Sequence, residues 1–119
     1  MSDFPNCVWV GPVFEPTGYA DEGRGLLVAL EALGVPVALR AKAALDPAFQ
    51  DHLPAGVRDA LDRQRARAIG SPYVMVQHYL ADGFVPAPQA AYIVGRTMFE
   101  SDSLPPSWVA RCNTMDELW

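Results

Sequence analysis

The sequence predicts an α/β fold, an open parallel sheet flanked by helices. Three observations carry this. Cys7-Val8-Trp9-Val10-Gly11 is an apolar run rich in β-branched and aromatic residues. It is too short for a helix and reads as a strand buried on both faces. A helical pattern follows, with Leu26, Ala29, Leu30 and Leu33 spaced to share one face, and Gly34 suits the C′ position that often needs a positive φ. Val35-Pro36-Val37-Ala38-Leu39 then supplies a second strand and completes a βαβ unit.

The 119 residues are expected to form one domain, residues 1–119. A chain of this size buries roughly two-thirds of its unfolded surface, enough for one core. Half the residues are hydrophobic and 19% are charged, a globular composition. The net charge of −5 argues against nonspecific nucleic-acid binding. No run of 18 apolar residues exists, so no transmembrane segment is expected. The first residues lack the basic region and apolar core of a signal peptide, which gives a cytoplasmic expectation. Cys7 and Cys112 form no framework, so free thiols and no metal site are expected.

The first strand leads into a loop, Pro12 to Tyr19, punctuated by two prolines and a glycine. In an open parallel sheet that loop leaves the carboxyl edge, where ligands bind. Gly18 permits close backbone approach, and the helix start offers free N–H groups to a phosphate. Against this, Asp21 and Glu22 repel an anion, with Arg24 as a partial offset. The competing reading is that Gly18 merely turns the chain.

After the second strand, residues 40–56 read as irregular, with a short helix near Asp46 to His52 and His52 on the surface. Val57 to Ile69 reads as a helix whose arginines, interleaved with Asp59 and Asp62, form a solvated face. Tyr73-Val74-Met75-Val76-Gln77 is a third strand, with His78 at its carboxyl end, either a ligand contact or a polar terminus. A loop long for a connection runs from Tyr79 to Ala90 and carries Asp82, Gly83, Pro86 and Pro88; it is either functional or simply irregular. Ala91-Tyr92-Ile93-Val94-Gly95 is a fourth strand, from whose end Arg96, Thr97 and Glu100 emerge. Arginine grips carboxylate or phosphate in a fork, and carboxylates accept bonds from sugar hydroxyls. An internal Arg96–Glu100 ion pair is the alternative. A helix entered through Pro105 or Pro106 runs through Trp108, Val109 and Cys112, and Asp116 to Trp119 begins another apolar run.

Two blocks of residues carry a family resemblance. The first is Trp9-Val10-Gly11-Pro12-Val13-Phe14 with Thr17-Gly18-Tyr19-Ala20 and Arg24. The second is Gly95-Arg96-Thr97-Met98-Phe99-Glu100-Ser101-Asp102, with Leu104-Pro105, Trp108, Cys112-Asn113 and Met115 to Trp119. Both resemble the N-terminal part of bacterial GT-B-fold retaining glycosyltransferases of the large nucleotide-sugar-dependent family. The resemblance is weakest from Arg40 to Ile69. It implies a Rossmann-like, acceptor-side domain, incomplete at its C-terminus, whose donor-binding partner domain lies beyond. It implies transfer of a sugar from a nucleoside diphosphate sugar to an acceptor glycan or other hydroxyl compound, with retention and no metal or other cofactor. Gly18 and Tyr19 would face the donor phosphates, and His78, Arg96, Thr97 and Glu100 would line the acceptor side. His78 rests on its strand-end position alone, and the isolated chain is expected to be inactive.

One rival reading is a small stand-alone α/β binding module that uses the same edge without catalysis; a third is an interaction domain whose exposed apolar edge pairs with another chain. The expected strand order is third, second, first, fourth, with the last apolar run outside the fourth.

Overall fold

A computed structural model describes residues 4–42, 47–98 and 103–119. Strand β1 (Cys7–Pro12) leads into helix α1 (Gly18–Ala32) and strand β2 (Val37–Lys42). Helices α2 (Pro47–Asp51) and α3 (Ala55–Ala66) precede strand β3 (Val74–His78). A 3-10 turn at Ala81–Gly83 leads to β4 (Tyr92–Arg96), α4 (Pro106–Cys112) and β5 (Glu117–Leu118). Every strand pairing is parallel, and the sheet is Rossmann-like.

The strand order is β2-β1-β3-β4-β5. β1 is interior and β5 lies outside β4, as expected, but β3 pairs with β1 and not with the far side of β2. The expected order is corrected on that point, and the reason lies at the outer edge of β2. The Pro36 carbonyl faces β1, where it accepts the Cys7 N–H at 3.0 Å. The next carbonyl, Val37, therefore points away from β1. Arg67 donates to it at 2.9 Å, occupying the edge a further strand would need. Arg40 and Lys42 expose charged side chains farther along β2, a common protection of a terminal strand.

Side-chain alternation divides the core by face. Cys7, Trp9, Val37, Leu39, Val76 and Val94 pack beneath Leu27 of α1 and Leu61 of α3. Val8, Ala38, Met75 and Ile93 form the opposite cluster with Ala87, joined by Ile69 and Met115. The buried line of α1 is Ala20, Gly23 and Leu27, while Leu33 is exposed, so the helix is rotated from the expected stripe. Small residues at 20 and 23 let its first turns approach the sheet closely. A Cβ on Gly23 would lie 3.4 Å from the His78 ring and 3.5 Å from the Pro12 carbonyl oxygen.

Both ends of α1 are closed. Thr17 caps the start through its Oγ1, which accepts the Ala20 N–H at 3.2 Å. At the other end, Val35 N–H bonds Leu30 O and Gly34 N–H bonds Glu31 O, with Gly34 at φ +80°. This is a Schellman motif, and the positive φ is why glycine stands there.

The arginines of α3 and of its C-cap, Arg67, serve internal pairs. Arg63 and Arg67 both reach Glu31 of α1 at 3.1 Å, and Arg65 reaches Asp62 at 3.8 Å. Cys7 and Cys112 are buried free thiols, and no group of three or more metal-ligating side chains occurs among the described residues. No described helix is long and apolar enough to cross a membrane. Glu100, with the Arg96–Glu100 pair considered above, lies outside the described residues.

Candidate functional site

The order β2-β1-β3 reverses direction about β1. Connections run from β1 to one side and return on the other, so the loops after β1 and β3 diverge at their carboxyl ends. Such a switch point is where open parallel sheets form a ligand crevice. A pocket of about 440 Å³ lies there. Pro12, Glu15, Thr17 and Tyr19 line it from the β1 side, Lys42 from the end of β2, and Tyr79, Leu80, Asp82 and Gly83 from the loop after β3.

Local chemistry holds each wall. Arg24 reaches back from α1 to the carbonyl oxygens of Val13 at 2.6 Å and Glu15 at 3.0 Å. Arg24 is thus a staple of the 13–15 loop, and its Nη2 also lies 3.5 Å from Asp21 Oδ1, a partial offset of the acidic first turn. The Thr17 hydroxyl donates to the Glu15 carboxylate at 3.0 Å. Across the pocket, buried Gln77 acts as a surrogate strand. Its Oε1 accepts the Val85 N–H at 3.0 Å and the Tyr79 hydroxyl at 2.7 Å, and its Nε2 donates to the Val85 carbonyl at 2.6 Å. These bonds fix the loop after β3.

Gly18 is exposed at the first position of α1, and a Cβ there would meet nothing within 4 Å. Its φ is not positive, so turning the chain does not require a glycine. Its N–H and that of Tyr19 begin the helix, where such groups have no intrahelical acceptor. The Tyr19 side chain crosses to the end of β4. Its hydroxyl accepts the Met98 N–H at 2.7 Å and lies 3.2 Å from Thr97 Oγ1 and 3.1 Å from the Met98 carbonyl oxygen. Tyr19 and Thr97, 78 residues apart, therefore meet at one edge.

His78 lies beneath this edge and is fully buried. Its Nε2 stands 3.0 Å from the Tyr19 carbonyl, which only accepts, so Nε2 carries the proton and donates. Nδ1 is then an unprotonated acceptor, without a partner among the described residues. The ring sits between Trp9 and Tyr19, with both centroid separations 5.4 Å. Burial holds the His78 pKa below its ordinary 6.5; the Tyr19 carbonyl opposes that shift, Arg96 adds to it, and Glu22 opposes it. A neutral imidazole anchoring the first turn of α1 follows from these contacts. Arg96 pairs with Glu22 of α1, one quarter of its side chain remaining exposed. The structure thus gathers Gly18, Tyr19, His78, Arg96 and Thr97 at one edge, with His78 under the surface.

Lys42, Glu15, Asp82 and Tyr79 are pocket residues that sequence reasoning did not single out as a site. The available signal for Lys42 was the continued alternation Leu39-Arg40-Ala41-Lys42, which extends the strand to Pro12↔Lys42 in register. No family model, curated protein or solved structure matches the chain.

Proposed function

We propose that this domain is the acceptor-side part of a retaining glycosyltransferase that uses a nucleoside diphosphate sugar. The observation that carries the reading is the bond network of Tyr19 with Thr97 and Met98. The two sequence blocks of the family resemblance meet there, at the carboxyl edge of a parallel sheet. Nothing in their separation along the chain requires that.

In this reading the N–H groups of Gly18 and Tyr19 face the donor diphosphate, where a helix start favours negative charge. Thr97 and Arg96 border the acceptor. His78 is a positioning residue, because its contact is with the Tyr19 backbone and it has no exposed surface. Glu22 neutralises Arg96 in part, so Arg96 orients a hydroxyl or phosphate oxygen without presenting a full free charge. A second domain supplies the facing wall, since transfer needs orientation and leaving-group stabilisation from both sides of a closed cleft.

Saturation-transfer NMR with a panel of nucleoside diphosphate sugars tests this. Millimolar ligand is expected to give transfer to at least one sugar nucleotide, and the isolated chain to give no sugar-transfer product. Gly18→Val should abolish the signal without unfolding the chain, because a side chain at that position enters open space. Absence of transfer from the whole panel, or an unchanged signal in Gly18→Val, would overturn the reading.

A further inference from the structure

We propose that the pocket between Tyr19 and Tyr79 binds a small hydroxylated organic anion, held at its negative end by Lys42. As the identity of an acceptor this rests on the sugar-transfer reading; as a binding site it does not.

The cation comes first. The Lys42 ammonium sits 3.5 Å from the centroid of the Tyr79 ring. Gly83 makes room for that arrangement. A Cβ there would lie 3.0 and 3.1 Å from Tyr79 ring carbons and 3.2 Å from Lys42 Nζ. Tyr79 is in turn fixed by its hydroxyl bond to buried Gln77. The exposed Lys42 side chain thus carries its ammonium over an aromatic face that is itself fixed.

Among the described residues that charge has no carboxylate partner. Arg24 and Arg96, the other cations of this edge, pair with Asp21 and Glu22. Lys42 enters none of the ion pairs among the described residues. Tyr79 covers one side of the ammonium and leaves its remaining donors for an anionic oxygen.

The rest of the wall specifies the rest of the ligand. Pro12, Tyr19 and Tyr79 give apolar surface suited to the C–H face of a ring. The Glu15 and Asp82 carboxylates accept hydroxyl protons and disfavour a ligand that is anionic throughout. The volume of about 440 Å³ lies in the range of small-molecule sites. One anionic group on a polyol ring satisfies all three features. Sugar phosphates and uronates share that chemistry.

Titration of the ¹⁵N-labelled chain with glucose 6-phosphate, glucuronate and glucose separates the cases. At least one anion is expected to shift the amides of Tyr79 to Gly83 and to bind about ten-fold or more tightly than glucose. Binding by the phosphate alone or the uronate alone identifies the source. Lys42→Gln should weaken the anion to the level of glucose, and Lys42→Arg should retain most of the preference. Gly83→Ala should weaken it without changing the charge, with circular dichroism reporting the fold of each variant. Glucose binding as tightly as both anions, full anion affinity in Lys42→Gln, or no shift at Tyr79 to Gly83 would overturn the proposal. Anion binding without nucleotide-sugar binding would leave this site standing and remove the sugar-transfer reading; the opposite pattern would remove this site alone.

Discussion

Gly11→Ala tests how tightly β1 and β3 close beneath the crevice. A Cβ at Gly11 would lie 2.5 Å from the backbone oxygen of His78 and 3.4 Å from its Cβ. The oxygen belongs to a strand hydrogen-bonded on both sides, so it yields only if β3 shifts away from β1. Overpacking of this kind costs about 1–3 kcal/mol. For a domain of this size that is a fall in Tm of about 4–15 °C. Gly25→Ala is the matched control. Gly25 lies within α1 with nothing within 4 Å of its would-be Cβ. Alanine there should stabilise by about 0.5–1 kcal/mol through helix propensity alone. Gly23→Ala falls between, since its nearest contact, the His78 ring at 3.4 Å, is ordinary packing. Urea denaturation of the three variants gives the ranking. A Gly11→Ala protein as stable as the parent, or one less affected than Gly23→Ala, would refute the proposed closeness of β1 and His78.

Further predictions concern titration, the loop and the thiols. Glu31 has a pKa below its ordinary 4.5, chiefly because Arg67 hydrogen-bonds its carboxylate. That stabilisation is present above pH 4.5 and lost as pH falls through the depressed value; acid melts of Glu31→Gln should lack this limb. His78 should titrate below 6.5 by NMR, and its contribution should destabilise the fold as pH falls from 6.5 toward that value. A measured value at or above 6.5 would contradict the buried neutral ring. Gln77→Leu leaves the Val85 N–H and carbonyl unpaired at the loop and should cost about 1–3 kcal/mol in urea denaturation. Burial pushes the Cys7 thiol up to about 11, so a thiol reagent at pH 8 should react slowly with the native chain. After denaturation without reductant it should find two thiols.

The elements were legible because their periodicities are local. Cys7 to Gly11, the glycine stop at Gly34 and the proline entry to α4 each depend on near neighbours in the chain. The strand order was not, because it depends on which edge of β2 remains open. Arg67 closes that edge from 30 residues away, and nothing in its local sequence announces a bond to Val37. The rotation of α1 has a similar cause. Leucine spacing selected Leu33, but Ala20 and Gly23 govern how near the helix comes to His78. At the site, the positions of Gly18, Tyr19, Arg96 and Thr97 were legible through motif and strand ends. Lys42 was not, because its setting is made by Tyr79 and Gly83, and those contacts exist only after β2 and β3 flank β1.

The proposal that one ligand edge is built from the loop after β1 and the ends of β3 and β4 is tested most directly by paramagnetic broadening. A spin-labelled nucleoside diphosphate added to the ¹⁵N-labelled chain should broaden the amides of Gly18, Tyr19, Thr97 and Met98 first. Broadening centred elsewhere, such as around Leu33 at the far end of α1, or no broadening at millimolar ligand, would contradict it.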